Sequence, residues 1–123
     1  MSIVHLRVPA EPAFVGVLRN LVTSLSAQTN LGVDVILELQ EGINEAFIIV
    51  TAHKPESGDV FCEFDITGDA LSVRVTGPAN GELPDTNNFN WLILSATTRD
   101  PEVSRAEDGS ITVTIHSPVV ASA

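Results

Sequence analysis

The sequence predicts an α+β two-layer sandwich, in which a mixed, mostly antiparallel sheet is covered on one face by helices. Three observations carry this prediction. Short stretches alternate apolar and polar residues, and two long stretches repeat apolar residues at helical spacing. Along the chain the order is strand, two helices, hairpin, short helix, hairpin. Strands with one apolar face need a cover, and amphipathic helices bring the matching stripe. The 123 residues show no repeat, linker or second compositional region, so one domain is expected over 1–118, followed by a disordered tail over 119–123.

Residues 3–8 put Val4, Leu6 and Val8 on one face and His5 and Arg7 on the other, which reads as a half-buried strand ended by Pro9. Glu11 and Pro12 then open a helix with an acid and a proline in its first turn. Phe14, Val17, Leu18, Leu21, Val22 and Leu25 continue it at helical spacing to about Gln28, with Gly16 lowering the local propensity. Asn30-Leu31-Gly32 is the turn. Asp34 is expected as N-cap or first-turn acid of a second helix running to about His53, with Val35, Leu39, Ile43, Ala46 and Val50 as its core stripe.

After residues 54–58, Val60, Cys62, Phe64 and Ile66 alternate against Glu63, Asp65 and Thr67. Gly68-Asp69 makes a tight turn, and Leu71, Val73 and Val75 return as the second strand of a hairpin. The segment GPANGELPDTNN (77–88) is a loop by its Gly, Pro and Asn content. Residues 89–96 form a short helix, and 102–105 with 111–115 form a last hairpin around Asp108-Gly109.

The chain has 16 acidic and six basic residues, a net charge of −10, which opposes nucleic-acid phosphates and anionic membrane surfaces and favours a protein partner. No run approaches the ~18 apolar residues of a membrane span. No basic region followed by an apolar run opens the chain, so a cytoplasmic location is expected. The lone Cys62 lies in an apolar strand pattern and reads as a buried structural thiol. Asp34, Glu38, Glu41 and Glu45 recur along one helix face, with no His or Cys partners at ligand spacing, so no metal site is expected. The solvated-face reading fits the first three. His53 reads as a helix C-terminal cation, and His5 and His116 as outward strand residues. No Ser-His-Asp spacing and no P-loop is present.

Three segments, HLRVPAEPAFVGVLRNLV, LELQEGINEAFIIVTAH, and FNWLILSAT through GSITVTI, resemble the anti-sigma factor serine/threonine kinases. These are histidine-kinase-like ATPase domains of the Bergerat (GHKL) type, and the chain resembles a degenerate member. In that resemblance Glu45 falls on the general-base glutamate. Ile49 stands where the magnesium-binding asparagine of a Glu-Ala-x-x-Asn pattern belongs, and an alkyl group has no lone pair for a cation. Gly77 stands at the adenine-reading aspartate, Ala79 at the first glycine of Asp-x-Gly-x-Gly, and Phe89-Asn90-Trp91 at a phosphate-contacting Gly-Leu-Gly. Phe89 and Trp91 are expected to pack into the emptied pocket.

Phosphoryl transfer rests on positioning and charge neutralisation, so these losses together argue against it. The resemblance therefore implies an anti-sigma regulatory factor that sequesters an RNA polymerase sigma factor and is released by a STAS-type anti-anti-sigma protein. It further implies a homodimer, no cofactor, with binding of ATP and magnesium weak or absent at the degenerate pocket, and a partner contact at Arg19 on the first helix. The alternative is an active ATP-dependent kinase that phosphorylates the antagonist with Glu45 as base.

Overall fold

The computed structural model describes residues 2–52, 58–78 and 89–117. Five strands, β1 (Ser2–Pro9), β2 (Asp59–Thr67), β3 (Ala70–Thr76), β4 (Arg99–Arg105) and β5 (Ile111–His116), form one sheet in the order β1-β2-β3-β5-β4. Three helices, α1 (Val15–Ser26), α2 (Val33–Thr51) and α3 (Phe89–Thr97), cover one face. All four strand pairings are antiparallel, so the mixed component expected from the sequence is absent among the described residues. The cause is connectivity. Two helices between β1 and β2 give the chain three reversals, an odd number, which returns it to the sheet antiparallel, and the remaining neighbours include two hairpins.

Register explains the core. One row of inward residues, Leu6, Cys62, Val75, Val113 and Val103, runs directly opposed across all five strands. Val4, Phe64, Val73 and Ile115 form a second row. Leu18 and Val22 of α1, Leu39, Ile43, Ala46, Phe47 and Val50 of α2, and Leu94 of α3 close over these rows. The outer face is polar: Glu63 lies 3.1 Å from His5 and 3.7 Å from Arg74, and Arg7 pairs with Asp59 at 2.6 Å while lying over the Phe61 ring. Such exposed pairs add little stability.

Several boundaries differ from expectation. The first helix begins with a single 3-10 turn, Pro12–Phe14, and becomes α-helical only at Val15, ending at Ser26. Gly32, with extended backbone, is the N-cap of α2, which leaves Asp34 in the first turn. Val35 is only half-buried, whereas Phe47 and Ile49 join the core. β4 starts three residues early, at Arg99, and its register shifts between Arg99 and Glu102, where Asp100 has φ 48°. His53, the segment 54–57, residues 79–88 and the tail from 118 lie outside the described residues.

Cys62 is buried, as its strand position predicts, and burial pushes its thiol from 9.0 up to about 12. An unfolded chain therefore loses this proton before the folded one does. The stability it lends is complete below pH about 9 and falls as pH rises towards 12, by about 1.4 kcal/mol per pH unit. The native chain should resist a thiol reagent at pH 8 and react fully once unfolded in urea. Stoichiometric labelling of the native state would contradict the buried position.

Candidate functional site

Gly42, Glu45 and Ile49 stand three and four residues apart on α2 and share one helix face. That face meets α3. Gly42 is needed there, because a Cβ would overlap the Thr98 methyl group and press on the Thr97 hydroxyl. Close approach of the two helices leaves Glu45 5% exposed. Its Oε2 accepts a hydrogen bond from Nδ2 of Asn90, in the first turn of α3, at 2.6 Å. A buried carboxyl group needs such a donor, and this one ties α3 to α2.

Ile49, one turn further along, is buried in the hydrophobic core. Gly77 follows β3, and its N–H donates to the Ile111 carbonyl at 2.9 Å. A Cβ on Gly77 would overlap the Val50 carbonyl and stand 2.8 Å from the Val50 Cβ. The position thus has room for glycine and none for an aspartate unless α2 moves. Ala79 lies outside the described residues, as does His53. Among the described residues, the set does not fit magnesium-bound ATP. One carboxyl oxygen of Glu45 is taken by an amide, its neighbour on the helix is an alkyl group, and Gly77 has no room for a side chain. No group of three or more His, Cys, Asp or Glu among the described residues is placed to hold a metal ion.

The expectation that Phe89 and Trp91 both enter the pocket is half wrong. Trp91 packs against the core, but Phe89 is 73% exposed. Residues two apart on a helix differ by about 200°, so both rings cannot face inward. The sequence reading also missed the role of Asn90. The available signal was a lone amide in the otherwise apolar first half of α3.

Asp34, Glu38 and Glu41 are exposed, as a solvated face requires, and only Glu45 of the stripe turns inward. His5 meets Glu63, and His116 Nδ1 lies 2.7 Å from the Ser72 hydroxyl. Arg19 is exposed on α1, and its Nη1 donates to Asn44 Oδ1 on α2 at 3.2 Å. A second polar bridge joins Gln40 to Thr23. The structure therefore gathers Glu45, Ile49 and Asn90 on one side of α2 and Arg19 with Asn44 on the other.

Asn90→Ala, which strips Glu45 of its donor, should lower unfolding stability by about 1–3 kcal/mol in urea melts. Glu45→Gln, which keeps an acceptor, should cost less. Gly77→Ala should destabilise by about 2–4 kcal/mol through overlap with the α2 backbone. An unchanged urea midpoint for Gly77→Ala would refute the close approach.

No protein-family model matches the sequence, and no curated protein matches it. Among solved structures, the fold is similar to the crystal structure of the RsbU and RsbW domains of Rv1364c from Mycobacterium tuberculosis. That likeness has a TM-score of 0.74 at 14% identity and covers 95% of this chain and 32% of that one. The chain thus spans about a third of that neighbour's length. At such identity the likeness is one of fold, an α+β sandwich with an antiparallel sheet.

Proposed function

We propose that this protein is an anti-sigma regulatory factor that acts by contact: it sequesters an RNA polymerase sigma factor and is released by a STAS-type anti-anti-sigma protein, without phosphorylating it. The observation that carries this reading is the Asn90 amide on the Glu45 carboxyl group, at 2.6 Å, next to Ile49. A general base must reach the proton it removes. Here the candidate base is turned into a helix interface and its metal-binding neighbour is an alkyl group.

With phosphoryl chemistry set aside, protein contact is the function left to the fold. The fold likeness to a structure containing an RsbW domain supports that assignment, as does the sequence resemblance to anti-sigma kinases. Arg19 serves as the partner-binding residue, since its planar guanidinium anchors interfaces well. The working form is a homodimer, and no helix among the described residues is long and apolar enough to cross a membrane.

Calorimetry of the full chain with magnesium and ATP should show no micromolar binding; such binding would reinstate the kinase reading with Glu45 as base. In copurification, the full chain should retain a sigma factor and lose it to a STAS protein, and Arg19→Ala should weaken retention at least about tenfold. Recovery of neither partner would defeat the proposal.

A further inference from the structure

The two edges of the sheet are built differently. β4 carries Pro101, which has no N–H to donate, a register shift between Arg99 and Glu102, and Asp100 at φ 48°. Arg99, Asp100, Glu102 and Arg105 add charge along it. These are the devices by which a sheet edge refuses another strand. β1 lacks the irregularities. It pairs with β2 in unbroken register from Ser2 opposite Ile66 to Pro9 opposite Asp59, and its single proline is its last residue. Its two cations are drawn over β2, Arg7 onto Asp59 and the Phe61 ring and His5 onto Glu63. Among the described residues, no strand pairs with the outer edge of β1.

The side chains of β1 are also incompletely covered. On the helix side Val4 and Leu6 are half-buried, whereas Phe64, Val73 and Ile115 in the row of Val4, and Cys62, Val75 and Val113 in the row of Leu6, are buried. On the open side Ile3 is 47% exposed.

We infer that β1 is the interface between two copies of this chain: their β1 strands pair antiparallel, edge to edge, about a two-fold axis at His5, and join the two sheets into one. The inference rests on the proposed homodimer and names the surface that makes it.

The register follows from face and charge. An axis perpendicular to the sheet puts both helical layers on the same side, so inward residues must oppose inward ones, which only every second register allows. Centring on Leu6 would set His5 against Arg7 of the other copy, one cation against another. Centring on Val4 would set Leu6 against Ser2 and leave the leucine without an apolar neighbour. Centring on His5 sets Leu6 against Val4 twice and Ile3 against Arg7 twice. The apolar side chains on the helix side then cover one another, and the alkyl stem of Arg7 lies against Ile3. β1 contains no acidic residue, so two chains that each carry a net charge of −10 meet along a strand free of carboxylates.

Disulfide trapping of the full chain tests this, with cysteines placed at exposed strand positions and the native Cys62 buried. Opposed Cα atoms of an antiparallel pair lie about 4.5–5.5 Å apart, within reach of a disulfide, whereas residues offset by four along the strand lie about 14 Å apart. Under mild oxidation His5→Cys should give a covalent dimer. Ile3→Cys alone and Arg7→Cys alone should link at least about tenfold less, and a mixture of these two variants should link one to the other. Thr114→Cys, in the middle of the open face, should stay unlinked. A dimer in sedimentation that does not link through His5→Cys overturns the interface and leaves the homodimer standing, most plainly if Thr114→Cys links instead. A monomer at about 100 µM chain overturns both, while sigma-factor retention keeps its own test.

Discussion

The close seating of α2 against everything around it is the constraint on which the rest of the structure depends. Leu39, Ile43, Ala46 and Val50 are wholly buried along its length, and Phe47 nearly so. Two glycines set how near its neighbours come. Gly42 admits α3, and Gly77 lets the end of β3 approach the backbone at Val50. With those contacts in place, α2 shows solvent only a narrow strip. Its polar residues must face outward with the acids, bridge to α1, or find a partner against α3.

The polar residues of α2 meet those fates, except Thr51, whose hydroxyl donates to the Phe47 carbonyl of its own helix at 2.7 Å. Gln40 and Asn44 reach across to Thr23 and Arg19, which fastens α1 by hydrogen bonds at the edge of an apolar interface. Glu45 accepts from Asn90 and fastens α3. A buried acceptor without a donor costs more than the bond itself contributes, so the pair acts less as glue than as a condition on the α3 docking angle. Chemistry at the site is limited by the same geometry. A carboxyl group held in a helix interface beside an alkyl side chain has no free path to a substrate proton or a bound cation. Among the described residues, Arg19 is the one Lys or Arg side chain on α1, α2 and α3.

Much of this was legible in the chain. Alternation along residues 60–66 and 71–75 marks the inward faces of β2 and β3, because side chains on a strand point to opposite sides in turn. The helical repeat in 14–25 and 35–50 marks both long helices for the corresponding reason. Less legible were the ends. The proline-led opening of the first helix became a 3-10 turn, and Gly32 took the cap expected of Asp34, because either residue is compatible with a helix start and the direction of the entering chain decides. β4 was underestimated because Pro101 and the irregular pairing at Asp100 break the alternation that marks a strand.

By itself, then, the sequence determined the element order, the inward faces of β1, β2 and β3, the α+β class and an alkyl side chain at Ile49 one turn beyond Glu45. These are local properties, carried by period and residue type. Tertiary structure alone decided which way Glu45 turns, that Asn90 meets it from 45 residues away, that Phe89 faces solvent while Trp91 packs against the core, and that Arg19 reaches Asn44 across α1 and α2. Each depends on the rotation of one helix about its axis relative to another. Periodicity says that a helix has an apolar side; only packing against neighbours fixes where the residues at the margin of that side come to rest.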